Sequence, residues 1–102
     1  MLTSKQRAFL RGLAASEDTI LQVGKNGIND NLIEQCSGAL KARELIKGGV
    51  LEAAPISAAE AAAELSEKTK AEVVTVIGSK FVLFKRNAQK PVINLPKRVK
   101  AQ

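Results

Sequence analysis

The chain has 102 residues, 45% apolar and 25% charged, the composition of a single globular domain able to build its own core. It holds no apolar run near 18 residues, which argues against a transmembrane helix, and its single cysteine excludes an internal disulfide. With no histidine and no cysteine cluster, imidazole bases and zinc ligand sets are missing, so neither an enzyme, a metal nor a cofactor is expected.

The polar start Met1-Leu2-Thr3-Ser4-Lys5-Gln6-Arg7 reads as a helix N-terminus rather than a secretory leader, and a reducing cytoplasm is the expected location. Thr3 and Gln6 form a capping box for a first helix ending near Ala15-Ser16. Phe9, Leu10 and Leu13 make its apolar stripe, with Gln6 on the same side, while Arg7 and Arg11, four apart, share one flank. Ile20-Leu21-Gln22-Val23 is a first strand, and Gly24-Lys25-Asn26-Gly27 follows as a tight loop. Asn29 or Asp30 caps a second helix with Leu32, Ile33, Cys36, Ala39 and Leu40 at helical spacing, where Cys36 reads as a buried, inert thiol.

Leu45-Ile46-Lys47 opens a second strand that Gly48-Gly49 is expected to bulge or kink before Val50-Leu51. Ser57 and Glu60 form a capping box for an alanine-rich helix running to about Lys70, with Glu60, Glu64 and Lys68 on one solvated face. Val73–Ile77 is a third strand, Gly78-Ser79 a two-residue hairpin turn with glycine first, and Phe81–Phe84 the return strand, ended by Lys85-Arg86. Residues 1–88 are expected to form the domain and 89–102, with Pro91 and Pro96, a basic extended tail. The order α-β-α-β-α-β-β predicts an α+β fold, a two-layer four-stranded mixed sheet packed by helices.

The net charge of +6 is unevenly spread: +2 over residues 1–51, −3 over 52–72 and +7 over 73–102, where no acidic residue occurs. One basic end and one mildly acidic helix favour an anionic partner with a defined docking face, nucleic acid first. A glycine turn carrying a lysine ahead of a helix can cradle a phosphate, because glycine admits close approach and the helix N-terminus favours an anion. The same four residues also suit a plain strand-to-helix turn in which Asn26-Gly27 supplies positive φ. The second glycine is followed by Ile28, so this is not a Walker A loop, and the third glycine of a dinucleotide fingerprint is absent. Phe81 and Phe84 point to opposite sides of one strand, and the chain has no Tyr or Trp, so a stacking platform is poorly supported. What remains is a kit for reading phosphate and shape. A protein-interaction module using the acidic third helix is the alternative. DNA binding is disfavoured, since no helix clusters Arg, Asn and Gln in its first turns.

Five stretches then match a known family in order: Leu2-Thr3-x-Lys5-Gln6 through Leu10-x-Gly12-Leu13-Ala14; Gly24-Lys25-Asn26-Gly27; Glu44-Leu45-Ile46-Lys47; Val76-Ile77-Gly78 with Val82-Leu83-Phe84-Lys85; and Ile93-Asn94-Leu95-Pro96. The chain resembles the bacterial stand-alone CRM domain, the YhbY-like RNA-binding proteins, over essentially its whole length. The resemblance implies a sheet like that of the C-terminal domain of translation initiation factor three, with an added N-terminal helix. It also implies RNA binding through a GxxG loop and a part in assembling the large ribosomal subunit on ribosomal RNA. The RNA-binding residues expected here are Gly24, Lys25, Asn26 and Gly27, with Lys5, Arg7, Arg11, Lys80, Lys85 and Arg86 extending the phosphate footprint. A monomer that contacts no membrane is expected.

Overall fold

Two of the three helices among the described residues begin where a hydroxyl can take an otherwise unpaired amide. In the computed structural model, which describes residues 2–87, Thr3 Oγ1 accepts from the Gln6 amide at 3.1 Å while Gln6 Oε1 accepts from the Thr3 amide at 3.0 Å. Ser57 and Glu60 repeat the exchange at 3.2 and 2.9 Å, and these bonds hold the Glu60 carboxyl below its ordinary pKa. Asn29 caps the second helix alone, its side chain accepting from the Leu32 amide. The elements are α1 (Ser4–Ala14), β1 (Thr19–Val23), α2 (Asp30–Arg43), β2 (Leu45–Val50), α3 (Ala58–Thr69), β3 (Glu72–Ile77) and β4 (Lys80–Phe84), in the expected order. Gly78 has the expected positive φ, +58°, in the β3–β4 turn. The predicted tail 89–102 and the end of the predicted domain at 88 lie outside the described residues. No helix among those described is long and apolar enough to cross a membrane.

The sheet order is β1-β2-β4-β3. β1 and β2 are parallel, and β4 is antiparallel to both of its neighbours. The crossovers from β1 to β2 and from β2 to β3 therefore step the same way across the sheet. A shared right hand then places α2 and α3 on one face. There Leu21, Val23, Ile46, Phe81 and Leu83 meet Leu32, Cys36 and Leu40 of α2 and Ala61, Ala62 and Leu65 of α3. The opposite face carries a smaller cluster in which Leu10 and Ala14 of α1 cover Leu45, Val74, Val82 and Phe84. The two-layer unit is thus joined by a single helix on its far side.

Two expectations need correction. Gly48-Gly49 causes no bulge or kink: β2 pairs without interruption from Leu45 to Gly49 against β4. Gly48 is required because a Cβ there would lie 2.3 Å from Phe81 Cζ, so the phenyl ring rests directly on the backbone of its cross-strand partner. The irregularities fall instead on the edge strands, near Ile20 in β1 and Val74 in β3. The apolar stripe of α1 is also rotated. Gln6, Leu10 and Ala14 face inward, whereas Phe9 and Leu13 are 38% and 36% exposed. A helix lying on a sheet buries one i, i+4, i+8 row, and Gln6 joins that row because its amide is occupied at the cap.

Cys36 is wholly buried, and burial lifts its thiol from the ordinary 9.0 to about 11, opposed in part by Thr69. The folded chain holds this proton more tightly than the unfolded one. The resulting stabilisation is complete below pH 9 and is lost as pH rises towards 11. Native protein at pH 8 should react with a soluble disulfide reagent at least ~100-fold more slowly than protein in denaturant. Equal rates would place the thiol at the surface.

Candidate functional site

The loop after β1 is a hydrogen-bonded turn: the Gly27 amide donates to the Gly24 carbonyl at 2.9 Å. Lys25 and Asn26 stand exposed at its corner with negative φ. The neighbouring segment braces it, with the Leu51 amide donating to the Val23 carbonyl at 2.8 Å and Pro55 under Gly27. The two glycines are there for different reasons. Gly27 has φ +66°, and a Cβ there would come within 3.4 Å of Pro55 Cγ, so the fold itself favours glycine. Gly24 has no such φ, and a Cβ would meet only Leu51 Cδ1 at an ordinary 3.8 Å. Nothing among the described residues requires glycine at 24.

The helix N-terminus contributes less than the sequence suggests. Asn29 Oδ1 already takes the Leu32 amide, and Asp30 puts a carboxylate into the first turn of α2. Positive charge in the loop comes from the exposed Lys25.

The register sorts the other cations. Val23 pairs with Val50, Gly49 with Lys80, and Lys80 with Ile77. The glycine loop and Lys80 therefore lie at the same end of the sheet, two strand spacings apart, or about 10 Å. On the face that α1 only partly covers, a shallow groove of about 210 Å³ is lined by Arg11, Lys47, Thr75, Ile77, Lys80 and Val82, with no carboxylate in its lining among the described residues. Sequence reasoning did not single out Lys47. The signal was alternation: Lys47 interrupts a buried strand at a position that shares a face with Leu45 and so looks towards α1.

Lys85 and Arg86 are exposed beyond the other end of β4, where the Lys85 amide donates to the Glu44 carbonyl at 2.9 Å. Lys5 is exposed near that end as well, because the Leu2 amide holds the start of α1 to Glu72 of β3. Arg7 is half-buried, and its guanidinium donates to the carbonyls of Val73 and Val74. These flank the irregular step in β3, so Arg7 serves an edge strand whose ladder is locally broken. The structure thus gathers Arg11 and Lys80 with the added Lys47, and separates them from Lys5, Lys85 and Arg86. Phe81 and Phe84 are both buried, on opposite faces, and offer no exposed ring.

A family model, the CRS1/YhbY (CRM) domain, matches residues 2–85. A protein of Bacillus subtilis that carries the name probable RNA-binding protein YqeI is 43% identical over 96 residues, spanning 94% of this chain and 100% of that one. A protein of Haemophilus influenzae named RNA-binding protein is 32% identical over 97 residues, covering 95% and 97% of the two chains. Among solved structures, a hypothetical protein of Staphylococcus aureus, described as a candidate RNA-binding protein, superposes with a TM-score of 0.78 at 46% identity. That match covers 94% of this chain and all of the other.

Proposed function

The chain belongs to the CRS1/YhbY (CRM) domain family, and from that premise we propose that it is a non-enzymatic RNA-binding domain. It docks on structured ribosomal RNA and acts on precursors of the large ribosomal subunit. The observation that carries the reading is Gly24. It is a glycine that neither backbone conformation nor packing demands, beside an exposed lysine, at the end of the sheet where Lys80 also lies. A position kept free of a side chain without internal need suits close approach by a sugar-phosphate backbone. The names of the relatives point to RNA as that polymer.

The test is a salt titration with a labelled fragment of large-subunit ribosomal RNA. Lys25→Ala should weaken binding several-fold and make the slope of log K against log salt shallower by about 0.7 to 0.9, the loss of one phosphate contact. An unchanged affinity and slope remove Lys25 from the interface. The alternative, a protein-interaction module, rests on the outer face of α3, where Glu60, Glu64 and Glu67 line a shallow concavity with Lys68. Tagged protein that stays on ribosomal precursor particles after RNase digestion favours that alternative; release by RNase favours RNA.

A further inference from the structure

We propose that the groove between α1 and the sheet seats one unpaired nucleotide of the bound RNA, its base on the apolar floor and its phosphate among Arg11, Lys47 and Lys80. The inference rests on the RNA reading above and adds a site to it. A surface that met only duplex phosphates would need cations and no apolar lining. Here Ala14 and Val82, both nearly buried, lie at the base, and Ile77, 70% exposed, stands at the rim. Such an isoleucine at the rim of a cationic groove gains by being covered with something flat and apolar that also carries negative charge. An unstacked nucleotide has both properties in one unit. The volume of about 210 Å³ is below the ~300 Å³ of the smallest drug-sized pockets, the scale of a single heterocycle rather than a duplex.

The neighbouring strand is cleared for this arrangement. A Cβ on Gly49 would stand 3.0 Å from Lys80 Nζ and 3.2 Å from its Cδ, so the lysine stem lies across the bare backbone of β2. Its ammonium is thereby held over Gly49, which pairs with Gln22, the residue before β1 ends at Val23 and gives way to the glycine loop. An RNA strand held at Gly24 and Lys25 can therefore place its next unpaired residue in the groove without leaving this end of the sheet.

The probes are a stem-loop RNA with unpaired uridines in its loop and the same stem closed as a blunt duplex. The full chain should bind the stem-loop about fivefold more tightly, the scale of one base buried on a protein surface. Ile77→Ser and Lys47→Gln should each bring that ratio close to one. In the unaltered protein, 4-thiouridine placed in the loop should crosslink to residues of β3, β4 or Lys47. A ratio of one in the unaltered chain, a ratio that survives both substitutions, or crosslinks confined to residues 24–27 would overturn the proposal. All three leave RNA binding intact and so separate this failure from that of the wider reading, which fails if neither RNA binds.

Discussion

Gly48→Ala should destabilise the fold by about 3 kcal/mol, the upper part of the range for overpacking a well-filled core. For a domain of this size that corresponds to a fall in melting temperature of roughly 10–20 °C. The added methyl would stand 2.3 Å from Phe81 Cζ and 2.5 Å from Cε1, well inside contact distance. The ring cannot simply turn away, because it is wholly buried in the larger cluster with Leu21, Ile46 and Leu83. Relief needs a shift of β2 against β4, at the centre of the sheet. The adjacent Gly49→Ala is the control: its new methyl meets chiefly the mobile end of Lys80, so the cost should stay below about 1 kcal/mol. Urea denaturation of both variants separates the cases. A double variant with Phe81→Leu should recover part of the Gly48→Ala loss, since the two positions share one contact. Equal midpoints for Gly48→Ala and the unaltered chain would show that the ring has room that the structure does not display.

Gly24→Asp should lower affinity for RNA at least tenfold while changing stability by no more than about 0.5 kcal/mol. The position accepts a Cβ at ordinary distance and needs no left-handed backbone, so the aspartate folds without strain and delivers a carboxylate beside Lys25. Gly27→Asp gives a different result. Its φ of +66° and its contact with Pro55 add a folding cost of about 1–2 kcal/mol, so binding and stability fall together. Measuring both variants by RNA titration and thermal unfolding divides the two readings of the loop. A plain turn predicts that only Gly27→Asp matters, and only through stability. Full RNA affinity in a folded Gly24→Asp protein would reject the loop as a contact.

How much of this was legible in the chain depended on the range of the interaction. Both capping boxes span four residues and the Gly78-Ser79 turn two, and each formed where its residues stand. The element order and the mixed sheet followed from apolar periodicity, which is also local. The stripe of α1 was misplaced because periodicity says which residues share a side, and packing against the sheet decides which row is buried. Gly48-Gly49 suggested a bulge since glycine weakens strands in general; its reason, the ring of Phe81, belongs to a distant segment. Arg7 looked like a free cation beside Arg11, and only the irregular edge of β3 shows where its guanidinium goes.

The amino-acid sequence by itself determined the seven elements, the family and the glycine loop with its lysine. These rest on neighbouring residues and on an ordered set of short motifs, which a linear chain displays in full. The tertiary structure alone decided which cations lie together. Strand register put Lys80 at the end of the sheet that bears the glycine loop and sent Lys85 and Arg86 to the other. It also brought Lys47 and Arg11 into the lining of one groove. Charge is a property of residues, but a binding face is a property of distances. Sheet pairing sets those distances between segments far apart in the chain.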